Sequence, residues 1–258
     1  MKPSDVLRQF DLQERIQVDF PGMARESFPD LVRFSRVGPG VNFVLYSHLE
    51  PETADGTIQA QIEEFEAFEG PFEWKTYQHD RPTGLGDRLK SHGFVPDTPA
   101  PVLCLDLDEL PASLTTPPSA DIRRLVDPAE LSQVVAIHER VWGGDFSWIP
   151  ERFSRELRQP GFLEICLAYV DGTAVSVGWT HFQERSEFAS LWGGSTVPAF
   201  RGRGLFTATL AQRVRAAQAR GRRYVTVEAE PASHRILVRH GFEELTTTTT
   251  FTHDPEAS

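Results

Sequence analysis

The segment of the chain best equipped for chemistry is Arg201-Gly202-Arg203-Gly204, which stands between a strand-like run and a helical pattern. Amides in the first turn of a helix have no partners within it, and the helix dipole makes that end partly positive, so anions dock there. Glycines at 202 and 204 let the backbone curl around a phosphate with no Cβ in the way, and Arg201 and Arg203 add charged donors. The segment has neither the Gly-Lys-Ser/Thr ending of a phosphate loop nor G-x-G-x-x-G spacing, which disfavours nucleoside triphosphates and dinucleotides. A pyrophosphate of another kind fits it.

The elements that must hold this turn can be read from pattern. A strand over 188–197 leads into it, and a helix follows with Phe206, Leu210, Val214 and Ala217 inward, Arg213, Arg215 and Arg220 outward and Gly221 as its stop. Upstream, strands over 162–170 and 173–182 flank Asp171-Gly172, a hairpin pair that tolerates positive φ. Before them a short strand over 121–126 precedes Asp127, Pro128 and Glu130, which form an N-cap, a first-turn proline and a capping-box acid. They open a helix with Leu131, Val134, Val135, His138, Val141 and Trp142 on one face, and a second helix spans 151–158. Downstream come a strand over 224–230, a helix over 232–240, Gly241-Phe242 and a threonine-rich strand over 243–252, read as an ordinary edge strand.

On Arg201 and Gly204, and on this order of elements over about 119–252, the sequence resembles the GNAT acyltransferase superfamily, whose pyrophosphate motif reads Arg/Gln-x-x-Gly-x-Gly/Ala. Phe206 departs from that motif, standing where Gly or Ala is usual, while Gly241-Phe242 matches a pair common at the end of the family's fourth helix. The resemblance implies an acetyl-CoA cofactor, with backbone at Ser195, Thr196 and Val197 pairing the pantetheine arm. It implies that the turn, Arg201, Gly202, Arg203, Gly204, Leu205 and Phe206, holds the pyrophosphate. The implied reaction is direct transfer of an acetyl or short acyl group to a primary amine, with no covalent enzyme intermediate.

Such a reaction needs a neutral amine and a proton for the departing thiolate. Glu228 is the expected base, at the end of the fifth strand with Glu230, and Glu184, Glu187 and His181 lie on the preceding hairpin. The family's usual acid is a tyrosine four residues before the glycine of the Gly-Phe pair, and Leu237 stands there. Ser233 and His234, at the start of the following helix, are the expected substitutes. The family's acceptor pocket is shaped by the loop between its first two helices, here 142–148, in which Asp145 suits an ammonium and Trp142 and Trp148 its carbon frame. The loss of the tyrosine leaves open an alternative, a non-catalytic acyl-CoA sensor or interaction module that kept the cofactor site.

The first half repeats the later order: strands over 42–49, 72–78 and 102–107 and helices over 57–68 and 85–92. Gly93-Phe94 and Gly241-Phe242 are separated by nearly the same offset as Pro51 and Pro198. That offset sets Ala54, Asp55, Gly56 and Thr57, behind Glu50 and Glu52, opposite the arginine-glycine turn. Carboxylates there repel a pyrophosphate. The expected fold is therefore α/β (α+β), two GNAT-like halves, each a mixed, largely antiparallel sheet flanked by helices. Residues 1–110 form a degenerate accessory domain, 111–120 a Pro/Ser/Thr-rich linker and 121–258 the catalytic domain.

Length and composition fit two such halves: 258 residues with 40% hydrophobic side chains supply core for one large or two small domains. A net charge of −11 gives no field for gathering nucleic-acid backbones, so the expected partner is a small-molecule or peptide amine and not DNA or RNA. Cys104 and Cys166 sit in apolar runs, as reduced thiols do. The N-terminus is too charged for a signal peptide, and no stretch reaches the ~18 apolar residues of a membrane span, so a cytoplasmic protein without membrane contact is expected. Histidine and cysteine spacing suggests no metal site.

Overall fold

Both halves of the chain run strand, helix, parallel strand, helix, because in each a β-branched or aromatic run leads into an amphipathic segment and then a second such run. The computed structural model describes residues 3–36, 41–68, 70–116 and 119–257. The first half contains α1 (Pro3–Phe10), a π-helical turn (Asp11–Ile16), β1 (Ala24–Ser27), β2 (Leu31–Ser35), β3 (Asn42–Ser47), α2 (Ala54–Phe65), β4 (Phe72–Tyr77), α3 (Leu85–Ser91), β5 (Val95–Pro96) and β6 (Ala100–Asp106). The second contains α4 (Ala112–Thr115), β7 (Asp121–Arg124), α5 (Leu131–Trp142), α6 (Trp148–Arg158), β8 (Leu163–Val170), β9 (Thr173–Phe182), β10 (Phe188–Thr196), α7 (Leu205–Ala219), β11 (Tyr224–Glu228), α8 (Pro231–Arg239) and β12 (Glu243–His253). Asp127 caps the turn before α5, its carboxylate accepting the Ala129 amide at 2.9 Å.

The chain divides into two compact units, Met1–Val102 with Glu244–Ser258, and Leu103–Glu243. This corrects the boundaries expected at 110 and 121. The strand that ends the first half, β6, crosses into the second unit at Leu103, and the strand that ends the chain, β12, belongs to the first. Composition marks where a chain is irregular, whereas unit membership is decided by strand pairing between residues far apart in sequence. Within the expected linker, α4 buries Leu114 in the second unit's core, while residues 117 and 118 lie outside the described residues.

In the first unit the sheet runs β1-β2-β3-β4-β12, with β5 also on β12. β12 is therefore no edge strand. It pairs antiparallel with β4 from Thr248↔Tyr77 to His253↔Phe72 and with β5 at Phe251↔Pro96, and Thr246 and Thr248 are buried. Its core gathers Ile58, Ile62 and Phe65 of α2 around Phe72, Trp74 and Phe94. The fully buried Trp74 indole donates to Ser47 Oγ at 3.1 Å. Ser47→Ala should strand that donor and lower stability by about 1–2 kcal/mol in urea denaturation, with little change in the m-value. Arg15, also fully buried, is paired with Asp11 and Asp80 at 2.7 Å each and lies over the Tyr77 ring.

The second unit's sheet runs β6-β11-β10-β9-β8-β7. Side chains alternate along β9 and β10, so Trp179 and Gly193 meet on the face covered by α5 and α6, and Gly178 and Gly194 face α7. Among the described residues no helix is long and apolar enough to cross a membrane.

Candidate functional site

The site begins where two parallel strands part. β10 and β11 pair from Phe188↔Tyr224 to Leu191↔Val227; β11 then ends at Glu228 while β10 continues to Thr196. On its other side β10 shifts register against β9 between Trp192 and Ser195, with Gly193 at φ +61. This is a bulge, which bends its strand and increases the local twist. Beyond it the Val197 amide donates to the Val175 carbonyl at 2.9 Å. Two-residue alternation then turns Ser195 toward β9 and the Thr196 N–H toward the side that β11 has vacated.

The carbonyls of this stretch are held from within. Arg213 donates to the Trp192 carbonyl at 3.3 Å, Ser176 Oγ to the Ser195 carbonyl at 2.9 Å and Arg201 Nε to the Thr196 carbonyl at 3.1 Å. Ser176 also shares a 2.8 Å hydrogen bond with Thr196 Oγ1, and Trp142 Nε1 donates to Ser195 Oγ at 3.0 Å. His138 is hydrogen-bonded to the Gly193 backbone. A strand edge whose peptides are fixed this way is preorganised for an extended ligand.

After Val197 a turn over Pro198–Phe200 delivers the chain to the arginine-glycine segment. Arg201, Gly202, Arg203 and Gly204 are all exposed, and both glycines adopt φ +75, Gly204 as the N-cap of α7. The Arg201 amide donates to the Pro198 carbonyl and the Ala208 amide to the Gly204 carbonyl, which brackets the amides 202–207 that neither turn nor helix uses. A Cβ at Gly202 or Gly204 would meet nothing within 4 Å, so the turn is open. Arg201 is bent back onto Thr196, which makes it a brace for the turn, while Arg203 lies over the Phe200 ring, 5.1 Å from its centre. Leu205 is buried and Phe206 half-buried against the core. The residues present fit a diphosphate.

Arg213 does not face outward as its place in the helical pattern suggests: it is 3% exposed. Its guanidinium sits against Gly178 and Gly194, where an added Cβ would lie 2.7 Å from Cζ and 3.4 Å from Nη2 respectively. Burial pulls its pKa down, Cys166 is the neighbour that opposes this, and its recorded partners are the carbonyls of Trp192 and Thr209.

The other expected site residues distribute around the strand opening. Glu228 is half-buried and directly follows the last β10–β11 ladder pair. On α8, Ser233 Oγ donates to the Glu230 carbonyl at 3.0 Å, His234 is half-buried, and Leu237 is core. Trp142 and Trp148 are 55% and 44% exposed. Asp145 turns back to accept the Ser147 amide at 2.8 Å, a bond that holds its carboxyl below the usual range. Glu156 of α6 is buried and binds His181 at 2.9 Å and Arg152 at 2.7 Å; burial pushes its carboxyl up, but these partners outweigh that and leave it lowered. Burial raises the Cys104 thiol to about 12 and the Cys166 thiol to about 11, out of the range of a nucleophile.

Pattern reading left His138 as one member of a helix face. It is 5% exposed, and burial lowers its pKa from 6.5 to about 4 against the opposing hydrogen bond to Gly193. Its Nε2 is one of the buried side-chain polar atoms without a hydrogen-bond partner among the described residues. An imidazole kept neutral by folding contributes stability that is complete above pH 6.5 and is lost as pH falls toward 4, because the unfolded chain takes up the proton first. The melting temperature should therefore drop between pH 6.5 and 5, and His138→Leu should flatten that part of the profile.

The corresponding corner of the first unit is built differently. α2 begins three residues after Pro51 whereas α7 begins seven after Pro198, so the constant offset slips and places Ala54, Asp55, Gly56 and Thr57 inside the helix. The residues that precede α2 are Glu50-Pro51-Glu52-Thr53, where the Thr53 and Ala54 amides both donate to the Glu50 carbonyl and proline has no N–H. The expected carboxylates are present, and the amides without a backbone acceptor among the described residues, those of Glu52, Asp55 and Gly56, are fewer than in 202–207 and are interrupted by bonded ones.

No family model matches the sequence, and no curated protein matches it. Solved structures do. A GCN5-related N-acetyltransferase from Kribbella flavida superposes with a TM-score of 0.73 at 17% identity, covering 98% of this chain and 95% of that one. A tandem GNAT protein from the clavulanic acid biosynthesis pathway gives 0.62 at 13% identity, covering 95% and 87%. An acetyltransferase described as putative, of the GNAT family from Novosphingobium aromaticivorans, gives 0.57 at 16% identity and covers 98% of each chain. The fold is that of a tandem GNAT.

Proposed function

We propose that this tandem-GNAT chain is an acyl-CoA-dependent N-acyltransferase that moves an acetyl or other short acyl group to a primary amine, with its site in the second unit. The observation that carries the reading is the joining of an open amide turn, 202–207, to a β10 edge that outruns β11: the first suits a diphosphate, the second the amides of a pantetheine arm. The fold supports acyl transfer in general, and coenzyme A would supply the activated thioester. The amides of Gly202 to Phe206 and the Arg203 guanidinium hold the diphosphate. Thr196 offers its N–H to the extended arm between Ser195 and Val197, while Arg201 and Arg213 keep the carbonyls beside it in place. Glu228, at the mouth of the strand opening, takes a proton from the amine. Ser233 or His234 supplies one to the departing thiolate. Trp142, Asp145 and Trp148 border the acceptor.

The first unit, with proline and two glutamates before α2, has a structural task in this reading. The working compartment is the cytoplasm. The test is calorimetric titration with acetyl-CoA, followed by a thiol-release assay across a panel of amines. Saturable binding with amine-dependent thiol release is expected. Absence of binding removes the assignment, and binding with no release for any amine leaves an acyl-CoA sensor in its place.

A further inference from the structure

Five aromatic side chains on the α5–α6 face of the second unit close into a ring of contacts. His138 lies 5.2 Å from Phe146 and 5.4 Å from Trp179, Trp179 lies 4.9 Å from Phe153, Phe153 6.1 Å from Trp148, and Trp148 6.5 Å from Phe146, centre to centre. Three of these rings, His138, Phe153 and Trp179, are buried. The other two stand on the segment after Gly143 and Gly144, which have φ of +65 and +102 with nothing within 4 Å of an added Cβ, so Phe146 and Trp148 ride on a segment with room to move. The floor of the ring touches the β10 bulge, since His138 is bonded to the Gly193 backbone and Trp179 packs on Gly193. Among the described residues, His138 Nε2 is a fully buried polar atom of the ring with no hydrogen-bond partner.

We infer that this box receives the amine-bearing end of the acceptor, the amine donating an N–H to His138 Nε2 while an aromatic carbon frame packs against the Phe146 and Trp148 rings. The inference rests on the acyltransferase reading and adds to it a substrate class, an arylalkylamine, and a binding residue. A buried neutral imidazole presents a lone pair to a donor and offers no charge to an anion. The carboxylates nearby are engaged, Glu156 with His181 and Arg152 and Asp145 with the Ser147 amide, which leaves ring faces as the source of affinity and disfavours polycations.

The test uses the full chain with acetyl-CoA and four acceptors: phenethylamine, butylamine, spermidine and an aminoglycoside. Phenethylamine should be preferred over each of the others by at least tenfold in kcat/KM. His138→Leu should raise its KM at least tenfold while weakening acetyl-CoA binding, through the lost Gly193 contact, by no more than a few-fold, and His138→Gln, whose amide oxygen restores an acceptor, should recover part of the KM loss. Phe146→Ala, which removes a half-buried ring from an exposed segment, should raise KM several-fold and serves if the His138 variants melt early. A preference for butylamine, spermidine or the aminoglycoside, or an unchanged KM in a folded His138→Leu protein, overturns the inference. Quenching of tryptophan fluorescence by phenethylamine alone reads the box without turnover. Quenching that His138→Leu abolishes supports the box even if acetyl-CoA fails to bind, an outcome that defeats only the acyltransferase reading; no quenching and no phenethylamine turnover overturns the box itself.

Discussion

Gly193→Ala should be the most damaging single-methyl change in the second unit, lowering stability by about 2–5 kcal/mol and abolishing acetyl-CoA binding in whatever fraction folds. Two independent penalties meet at this position. An alanine must adopt φ +61, which L-residues avoid, and its Cβ would overlap the Trp179 indole, which is itself held by Phe153 and His138. The indole cannot withdraw without disturbing both, and the backbone cannot withdraw without straightening the bulge that β10 makes against β9. Neighbouring glycines set the scale. At Gly194 an added Cβ meets Phe206 at 3.0 Å without unfavourable φ, and at Gly202 it meets nothing but carries φ +75, so each should cost about 1 kcal/mol in urea denaturation. A double-mutant cycle isolates the clash: Trp179→Leu should cost less in the Gly193→Ala background than alone, because the collision then has less ring to meet. Equal costs for Gly193→Ala and Gly202→Ala would mean the indole is not locked.

What the sequence disclosed follows from how local each signal is. The amide turn could be read because all its parts, two glycines, two arginines and a following amphipathic stripe, lie within a few residues of one another. The strand exchange could not, since nothing near Ala100–Asp106 or Glu243–His253 records which sheet each joins. Arg213 fell on the polar side of a helical wheel, and its socket is made by Gly178 and Gly194 on two separate strands, which a one-element pattern never brings together. The Gly193-Gly194 pair did carry a usable sign, because glycine inside a strand marks a bulge or a close approach, and here it marks both. Residues 3–35 gave no reading; β1 in particular is exposed throughout and has no alternation to detect.

Gly204→Glu should weaken acetyl-CoA binding by more than 100-fold, roughly 2.7 kcal/mol or more, while shifting unfolding stability by less than about 1 kcal/mol. The two quantities separate because one charge acts on them in opposite senses. A carboxylate at the N-cap of α7 sits at the positive end of the helix dipole and stabilises the helix, which offsets part of the strain of placing a side chain at φ +75. The same carboxylate next to a bound diphosphate adds like-charge repulsion of about 4 kcal/mol at 4 Å in a medium of effective dielectric near 20. Its side chain also fills the open space over the unused amides 202–207. Gly204→Ala imposes the same φ without the charge and should cost only a few-fold in affinity. Arg201→Ala loses the brace on the Thr196 carbonyl and should fall between the two, with the larger part of its effect in the dissociation rate of the ligand. Calorimetric titration of the three variants beside urea denaturation decides the matter: if Gly204→Glu binds as tightly as Gly204→Ala, no diphosphate rests on this turn, and whatever the protein binds is held elsewhere.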